Sequence, residues 1–176
     1  AAAPGQRAPT IRNVSFRTSS FTGQVAYNLL YNNTDTAIDF SFDNGPGSIY
    51  HNTVYQEVGD AVRLRNDAAT DLRNNILWTD QGNIIYVEGP TLGFAADRNL
   101  YHRGDDPGNA VLLDSDGGPT YASLGDWSAA DPASNADSIE GDPGFIDPDG
   151  ADDVLGTNPQ RAADDNFNLS AGSPAI

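Results

Sequence analysis

The chain has 176 residues, a hydrophobic content of 38% and a net charge of −16, with 25 acidic residues against nine arginines and no lysine. A chain of this length is expected to form one domain, and its anionic surface excludes nucleic acid and anionic membranes as partners. It contains no cysteine and no apolar run near the roughly 18 residues of a membrane span, which excludes disulfides and a membrane-spanning helix.

The first predicted element is a leader or linker at residues 1–10, AAAPGQRAPT, which has no amphipathic pattern. A start rich in small residues is what removal of a signal peptide leaves behind. We therefore expect a secreted or cell-surface protein.

Residues 11–116 contain a repeat of about 23 residues. Its most regular member is an asparagine that recurs at steps of 24, 23 and 24 residues, at Asn28, Asn52, Asn75 and Asn99. Apolar residues lie three positions before and two positions after the repeated asparagine in most units, and stretches such as AVRLR and IIYVE alternate between apolar and polar residues. Alternation with a period of two is the pattern of strands that bury one face.

Repeated units of two or three short strands predict an all-β solenoid of about four to five rungs, in which stacked units share one core. Parallel strands on successive rungs lie about 4.8 Å apart, so the four asparagines are predicted to form a hydrogen-bonded structural ladder. A leucine-rich repeat has a similar period, but it requires a Leu-x-x-Leu-x-Leu-x-x-Asn pattern that this chain lacks. A β-sandwich does not repeat its strands in register.

The stretches after the repeat carry further motifs. Residues 121–157, YASLGDWSAADPASNADSIEGDPGFIDPDGADDVLGT, contain Leu-x-x-Trp, Ser-Ile and Asp-Pro-x-Phe, and residues 164–176, DDNFNLSAGSPAI, end in Leu-x-x-x-Ser-Pro-Ala-Ile. With the asparagine repeat, these motifs resemble the right-handed parallel β-helix superfamily, the pectate-lyase-like fold, over residues 11–176. The resemblance implies the C-terminal portion of an exported bacterial member, whose last motif usually continues with an aspartate and a glycine.

The last predicted element is an irregular acidic capping segment at residues 117–176, which follows the end of the repeat. Residues 101–176 contain 15 acidic residues and two arginines, whereas residues 1–100 contain ten and seven. We expect this segment to leave the regular coil and fold back over it, because its isolated apolar residues need a surface to cover.

One candidate catalytic face consists of the polar positions of the alternating strands. Its residues are Asp39, Arg63, Arg65, Tyr86 and Glu88. In a polysaccharide lyase such groups neutralise a uronate and transfer protons, and a glycosidase would use Asp39 and Glu88 as its pair of carboxylates. The alternative is that these residues form cross-strand ion pairs, Asp39 with Arg63 and Arg65 with Glu88, on a solvated face.

A candidate carbohydrate-binding column follows the asparagines by three positions and consists of Tyr31, Tyr55, Trp78 and His102. If these rings face outward, they form a platform for sugars. If they face inward, they are stacked core residues, which is the interpretation that we favour.

A candidate calcium site lies in DPDGADDVLGT, residues 147–157, with Asp164 and Asp165 following. Asp147, Asp149 and Asp152 around a glycine, together with Asp165, resemble loops that surround Ca²⁺ with carboxylate and carbonyl oxygens. The alternative is a solvated acidic loop.

Two classes of function remain. One is an extracellular or cell-surface module that binds polysaccharide, with cleavage of the lyase or glycoside-hydrolase kind left undecided. The other is a non-catalytic structural or adhesive subunit of a surface assembly, whose partner is another copy or an upstream part of the same protein.

Overall fold

The structure is a computed structural model that describes residues 14–19, 23–43, 46–65, 69–89, 94–104, 106, 108–156 and 161–176. The predicted leader at residues 1–10 lies outside the described residues.

Over the described ranges the secondary structure is mostly short strands, with one α-helix. In chain order the elements are β1 (Val14–Ser19), β2 (Gly23–Ala26), β3 (Leu29–Tyr31), β4 (Thr36–Asp43), β5 (Pro46–Tyr50), β6 (Thr53–Val58), β7 (Asp60–Arg65), β8 (Ala69–Arg73), β9 (Ile76–Gln81), β10 (Ile85–Glu88), β11 (Ala95–Asp97), β12 (Leu100–Arg103), β13 (Leu112–Asp114), β14 (Thr120–Tyr121), α1 (Leu124–Ala130), β15 (Ile139–Glu140), β16 (Phe145–Asp147) and β17 (Asn166–Leu169). In the part of the chain that the structure describes, no helix is long and apolar enough to cross a membrane.

The strands form the predicted parallel β-solenoid, in which each turn of the chain adds one strand to each of three sheets. The first sheet has the order β1-β4-β7-β10-β13-β14, the second β11-β8-β5-β2 and the third β15-β12-β9-β6-β3. All neighbours in them are parallel except β13 and β14. From β2 to β11 the chain makes three complete turns, which is similar to the four to five rungs expected.

The core lies inside the coil, where apolar residues form in-register columns. In the third sheet Leu30, Val54, Leu77 and Tyr101 are successive register partners, and all are buried. The second sheet aligns Val25 with Ile49, and the first aligns Ile38 with Val62, in the same way. A single turn has too few apolar residues to bury its own inner face, so the stacked turns stabilise one another.

The asparagine ladder lies at the corner between the second and third sheets. In each step the main-chain N–H and the Nδ2 of one asparagine donate to the Oδ1 of the next, at 3.0–3.1 Å, from Asn28 through Asn52 and Asn75 to Asn99. At the far end, the N–H of Asn99 donates to Ser138 Oγ. Three of the four side chains are buried, so the ladder satisfies polar groups that water does not reach.

The residue before each ladder asparagine has a left-handed backbone conformation. The φ angles are 60° at Tyr27, 52° at His51, 54° at Asn74 and 55° at Arg98. Positive φ is uncommon outside glycine, and its recurrence at one position of every turn shows that this conformation forms the corner.

The end of the solenoid is covered by residues 120–140, which we call the end cap. Here α1 begins at a capping box of Ser123 and Asp126. Trp127 of this helix is buried in the core cluster and stacks against Phe94 and Tyr121, with ring centroids 5.9 and 5.8 Å away. After the helix, β15 adds one more parallel strand to the third sheet.

Residues 141–176, which we call the covering segment, return along the outside of the solenoid. Their strands β16 and β17 pair antiparallel, and short 3-10 helices lie at Gly150–Asp152 and Arg161–Ala163. The Nδ2 of Asn32, at the other end of the third sheet, donates to the carbonyl oxygens of Leu155 and Gly156 at 3.2 and 3.4 Å. The covering segment therefore spans the third sheet from its C-terminal towards its N-terminal rungs.

Candidate functional site

The five candidate catalytic residues lie together on the outer face of the first sheet. Their strand neighbours Ile38, Val62, Leu64 and Ile85 are fully buried, so alternation directs the candidates outward. The register places Asp39 beside Arg63, Arg63 beside Tyr86 and Arg65 beside Glu88. We call this set the polar face.

Arg65 lies at the centre of the polar face and joins two carboxylates. Its Nε donates to Asp39 Oδ1 at 3.0 Å, and its Nη1 donates to Glu88 Oε2 at 2.6 Å. The ion pair between Arg65 and Glu88 matches the sequence prediction. Asp39, however, pairs with Arg65 rather than with its register partner Arg63, because the long arginine side chain reaches diagonally.

Arg63 pairs with different carboxylates. Its Nη2 lies 2.8 Å from Asp60 Oδ2 and 3.4 Å from Asp35 Oδ1. The guanidinium carbon is 5.2 Å from the centre of the Tyr86 ring, which is cation–π distance. Although partial burial acts to lower it, the hydrogen bond to Asp60 and the surrounding carboxylates raise the pKa of Arg63, so this residue is a fixed cation and not a proton acceptor.

The polar face and its partners carry a net negative charge. Four carboxylates, from Asp35, Asp39, Asp60 and Glu88, surround two guanidinium groups, which gives a net charge of −2. The carboxylates of Asp35 and Glu88 are 71% and 49% exposed, whereas Arg63 and Arg65 are 18% and 26% exposed. A ligand thus meets hydrogen-bond acceptors first.

The geometry also bears on the glycosidase pair. Asp39 and Glu88 are two rungs apart, about 10 Å along the axis, and Arg65 lies between them and binds both. The arrangement therefore offers hydrogen-bonding groups that the two ion pairs hold in place.

The aromatic column lies on the outer face of the third sheet, contrary to the inward orientation that we favoured from the sequence. Val54 and Gln56 on either side of Tyr55 are fully buried, so the pleat places Tyr55 on the opposite side. The rings of Tyr55 and Trp78 stack face to face with centroids 4.0 Å apart, and those of Trp78 and His102 with centroids 5.6 Å apart. Stacked rings cover one another's faces, so the solvent meets their edges.

The covering segment packs against one end of this column. Phe167 lies 4.6 Å from Tyr31 and 5.5 Å from Tyr55 between ring centroids, and Phe145 lies 5.9 Å from Tyr55. Tyr31 is consequently only 2% exposed. Burial, together with the nearby carboxylates of Glu57 and Asp149, raises the pKa of Tyr55 to about 12. Trp78 and His102 are half-buried.

The predicted calcium-binding aspartates lie in and beside the loop of the covering segment. Asp147 and Asp149 are half-buried, Asp152 is exposed and Asp165 is buried. Within the described ranges, no three acidic, histidine or cysteine side chains are gathered as a metal-binding cluster. Calcium binding by these residues therefore stays a prediction.

Sequence inspection missed a second polar ladder, at the corner between the third and first sheets. The N–H and Nδ2 of Asn33 donate to Gln56 Oε1 at 3.0 and 2.9 Å, and Thr79 Oγ1 of the next rung donates to the Gly59 carbonyl at 2.8 Å. A Cβ on Gly59 would lie 1.7 Å from the Asp35 carbonyl oxygen. The three members of this second ladder, Asn33, Gln56 and Thr79, are different residue types, so no repeated residue marks it in the sequence. The only signal is that a polar residue follows each ladder asparagine by four or five positions.

In comparisons with known proteins, the chain matched no family model, no curated protein and no solved structure.

Proposed function

We propose that this chain is an extracellular or cell-surface β-helix module of the pectate-lyase-like type that binds polysaccharide on its polar face. The observation that carries the proposal is the sequence of hydrogen-bonding groups along the solenoid axis. Asp39, Arg65 and Glu88 form one hydrogen-bonded chain across three rungs, beside Arg63 and Tyr86.

The chemistry of these groups suits a sugar polymer. Exposed carboxylates accept hydrogen bonds from hydroxyl groups, the guanidinium groups donate to ring and hydroxyl oxygens, and the Tyr86 ring offers an apolar surface. The ion pairs hold these groups in place before a ligand arrives, and a preorganised site loses less entropy on binding. Parallel pairing in register also places these groups on successive rungs, one beside the next, as an extended polymer requires.

The local charge indicates a neutral polysaccharide rather than the uronate polymer expected from the two arginines alone. Each arginine is already paired with two carboxylates, and the net charge of −2 repels an anionic ligand. The charge of the whole chain, −16, acts in the same direction.

The test is affinity electrophoresis of the chain in gels that contain neutral polysaccharides (a glucan, a xylan, a mannan) or acidic ones (polygalacturonate, alginate). We expect retardation in a neutral gel and a loss of retardation in the variants Tyr86→Ala and Glu88→Gln. Arg73→Ala is the matched control, since Arg73 is a partly exposed arginine that pairs with Asp71 on the second sheet. Free migration of the unaltered chain in every gel contradicts the proposal.

A second candidate is a structural or adhesive subunit that docks through the N-terminal end of the solenoid. Among the described strands, β2 and β3 are the outer members of the second and third sheets at this end, and unpaired parallel edges are templates for another chain. Light scattering that shows a concentration-dependent assembly would favour this function, and a monomer at high concentration would argue against it.

A further inference from the structure

The covering segment is attached to the solenoid without ion pairs. It contains seven acidic residues and one arginine, and none of the ion pairs between described side chains joins it to the solenoid. Instead, Phe145 and Phe167 pack on the aromatic column. Asn32 of the solenoid donates to the carbonyl oxygens of Leu155 and Gly156. Apolar packing and hydrogen bonds therefore hold an anionic segment in place.

The solenoid carries two neighbouring carboxylates at this contact. Glu57 follows Tyr55 by two positions on β6, and Asp80 follows Trp78 by two positions on β9, so the pleat places both beside the aromatic column on the outer face. The strands pair in register on both sides of these residues, which sets Glu57 beside Asp80. Both are exposed, and neither belongs to an ion pair between described side chains. Their like charges repel one another.

The covering segment brings two more carboxylates to the same place. Asp142 and Asp149 flank Phe145 in the chain, and the Phe145 ring lies 5.9 Å from that of Tyr55 between centroids. Burial is the main cause that raises the pKa of Tyr55 to about 12, and four carboxylates act on it in the same direction, those of Glu57, Asp149, Asp80 and Asp142. Two of them belong to the solenoid and two to the covering segment, so like charges meet across this contact.

We propose that the covering segment is a strap controlled by ionic strength, which concentrated salt holds on the third sheet and dilute salt releases. The screening length is about 30 Å at about 0.01 M salt and about 3 Å at about 1 M. The shorter length is less than the spacing of about 4.8 Å between adjacent rungs. Repulsion between the carboxylates therefore acts in dilute salt and is largely screened in concentrated salt, where the packing of uncharged rings decides the balance.

Release of the segment would change the outer face of the third sheet. Tyr31, which is 2% exposed, and Tyr55 would lose the cover of the two phenylalanine rings. They would join the half-buried rings of Trp78 and His102 in one accessible column of four. The inference does not depend on polysaccharide binding, because the polar face lies on the first sheet.

The test is hydrogen exchange of the whole chain, followed by mass spectrometry at constant pH, in about 0.01 M and about 1 M sodium chloride. We expect exchange in β16 and β17 to be about tenfold faster in the dilute salt, and exchange in β4 and β7 of the first sheet to stay the same.

A pair of double variants separates local repulsion from the charge of the whole chain. Glu57→Gln with Asp80→Asn removes two exposed carboxylates at the contact, and β16 and β17 should then stay protected in dilute salt. Asp106→Asn with Asp116→Asn, the matched control, removes two exposed carboxylates from the stretches before and after β13. It changes the net charge equally and should keep the salt dependence of the unaltered chain.

Three results would overturn the proposal. The first is equal protection of β16 and β17 in dilute and in concentrated salt. The second is the same salt dependence in the two double variants, which would show that the carboxylates at the contact do not control it. The third is faster exchange of β4 and β7 together with β16 and β17 in dilute salt, because the whole chain would then be opening and not the covering segment alone.

Discussion

The solenoid, residues 23–114, and the covering segment, residues 141–176, bury their polar and aromatic side chains by different means. In the solenoid one interaction is repeated on every rung, as in the step from Asn52 to Asn75. In the covering segment each contact occurs once, such as the packing of Phe167 on Tyr31. A repeated contact is supported by equal contacts above and below it, whereas a single contact is lost alone.

This difference predicts where substitutions act on the whole molecule and where they act locally. A substitution in the middle of a ladder should destabilise several rungs together, because each rung stabilises its neighbours. A substitution in the covering segment should release that segment and leave the solenoid folded.

The largest effect is expected from Asn75→Ala. Asn75 gives up hydrogen bonds to the carbonyls of Ile49 and Arg73 and to Asn99, and its Oδ1 no longer accepts from Asn52. Each buried group left unpaired costs about 1–3 kcal/mol, so we expect a loss of about 3–5 kcal/mol in the free energy of unfolding. Denaturant unfolding measures it.

The control for this prediction is Asn28→Ala, at the first rung of the described ladder. Asn28 donates to Ala26 and Asn52 and is half-buried, so its loss should be clearly smaller than that of Asn75. Equal losses at the two positions would show that the ladder does not act cooperatively.

A smaller effect is expected from Phe167→Ala. This ring contacts Tyr31, Tyr55 and Phe145 but is half-buried, so we expect a loss of about 2 kcal/mol, below the range for fully buried phenylalanine. Hydrogen exchange should become faster in β16 and β17 and stay unchanged in β6 and β9. Ile146→Ala, an exposed neighbour on β16, is the control, and faster exchange throughout the third sheet after Phe167→Ala would contradict the separation of the two regions.

The smallest effect at neutral pH is expected from Tyr101→Phe, at the contact between ladder and end cap. The Tyr101 hydroxyl accepts from Asn99 Nδ2 at 3.0 Å and donates to Asn135 Oδ1 at 2.7 Å. Asn99 Nδ2 keeps its hydrogen bond to the Leu72 carbonyl, and Asn135 Oδ1 still accepts from Ser138 Oγ. The removal of the hydroxyl therefore loses two hydrogen bonds but leaves neither partner atom unpaired, and it should cost about 1 kcal/mol.

The Tyr101→Phe variant also tests how the stability of the fold depends on pH above neutrality. Burial raises the pKa of Tyr101 in the folded chain, against the opposing hydrogen bonds of Asn99 and Ser138, from an ordinary value of about 10. The neutral form is favoured in the fold, so its stabilising contribution is present below pH 10 and is lost as the pH rises above it. The melting temperature of the unaltered chain should fall above pH 10, and that of Tyr101→Phe should fall less; equal slopes would contradict this.

The solenoid was predictable because its sequence pattern repeats with its structure. Equal residues at a constant interval meet equal surroundings, so Asn28 and Asn99 could be assigned one structural role. The orientation of the aromatic column followed from the same pattern: if Val54 faces inward, its neighbour Tyr55 faces outward. The prediction that Tyr55 faces the core was wrong because it relied on the apolar character of the ring and not on the position of Tyr55 in the strand.

The contacts of the covering segment could not be predicted from the pattern. Asn32 and Leu155 lie 123 positions apart, and their contact is not part of the repeat. The sequence pattern also did not predict the ion pair between Asp39 and Arg65. The choice between an adjacent and a diagonal partner depends on side-chain rotamers and on the other carboxylates nearby. Sequence patterns specify backbone register more strongly than they specify long polar side chains.

The in-register columns also determine how this chain can change in length. A stretch inserted into the coil keeps later residues at their corners only if it contains one whole unit, such as the stretch from Asn52 to Asn74. A fraction of a unit would move buried positions to a corner or to the outer face. A duplicated unit would lengthen the coil by one step of about 4.8 Å and leave both ends as they are, so the coil itself lengthens one rung at a time.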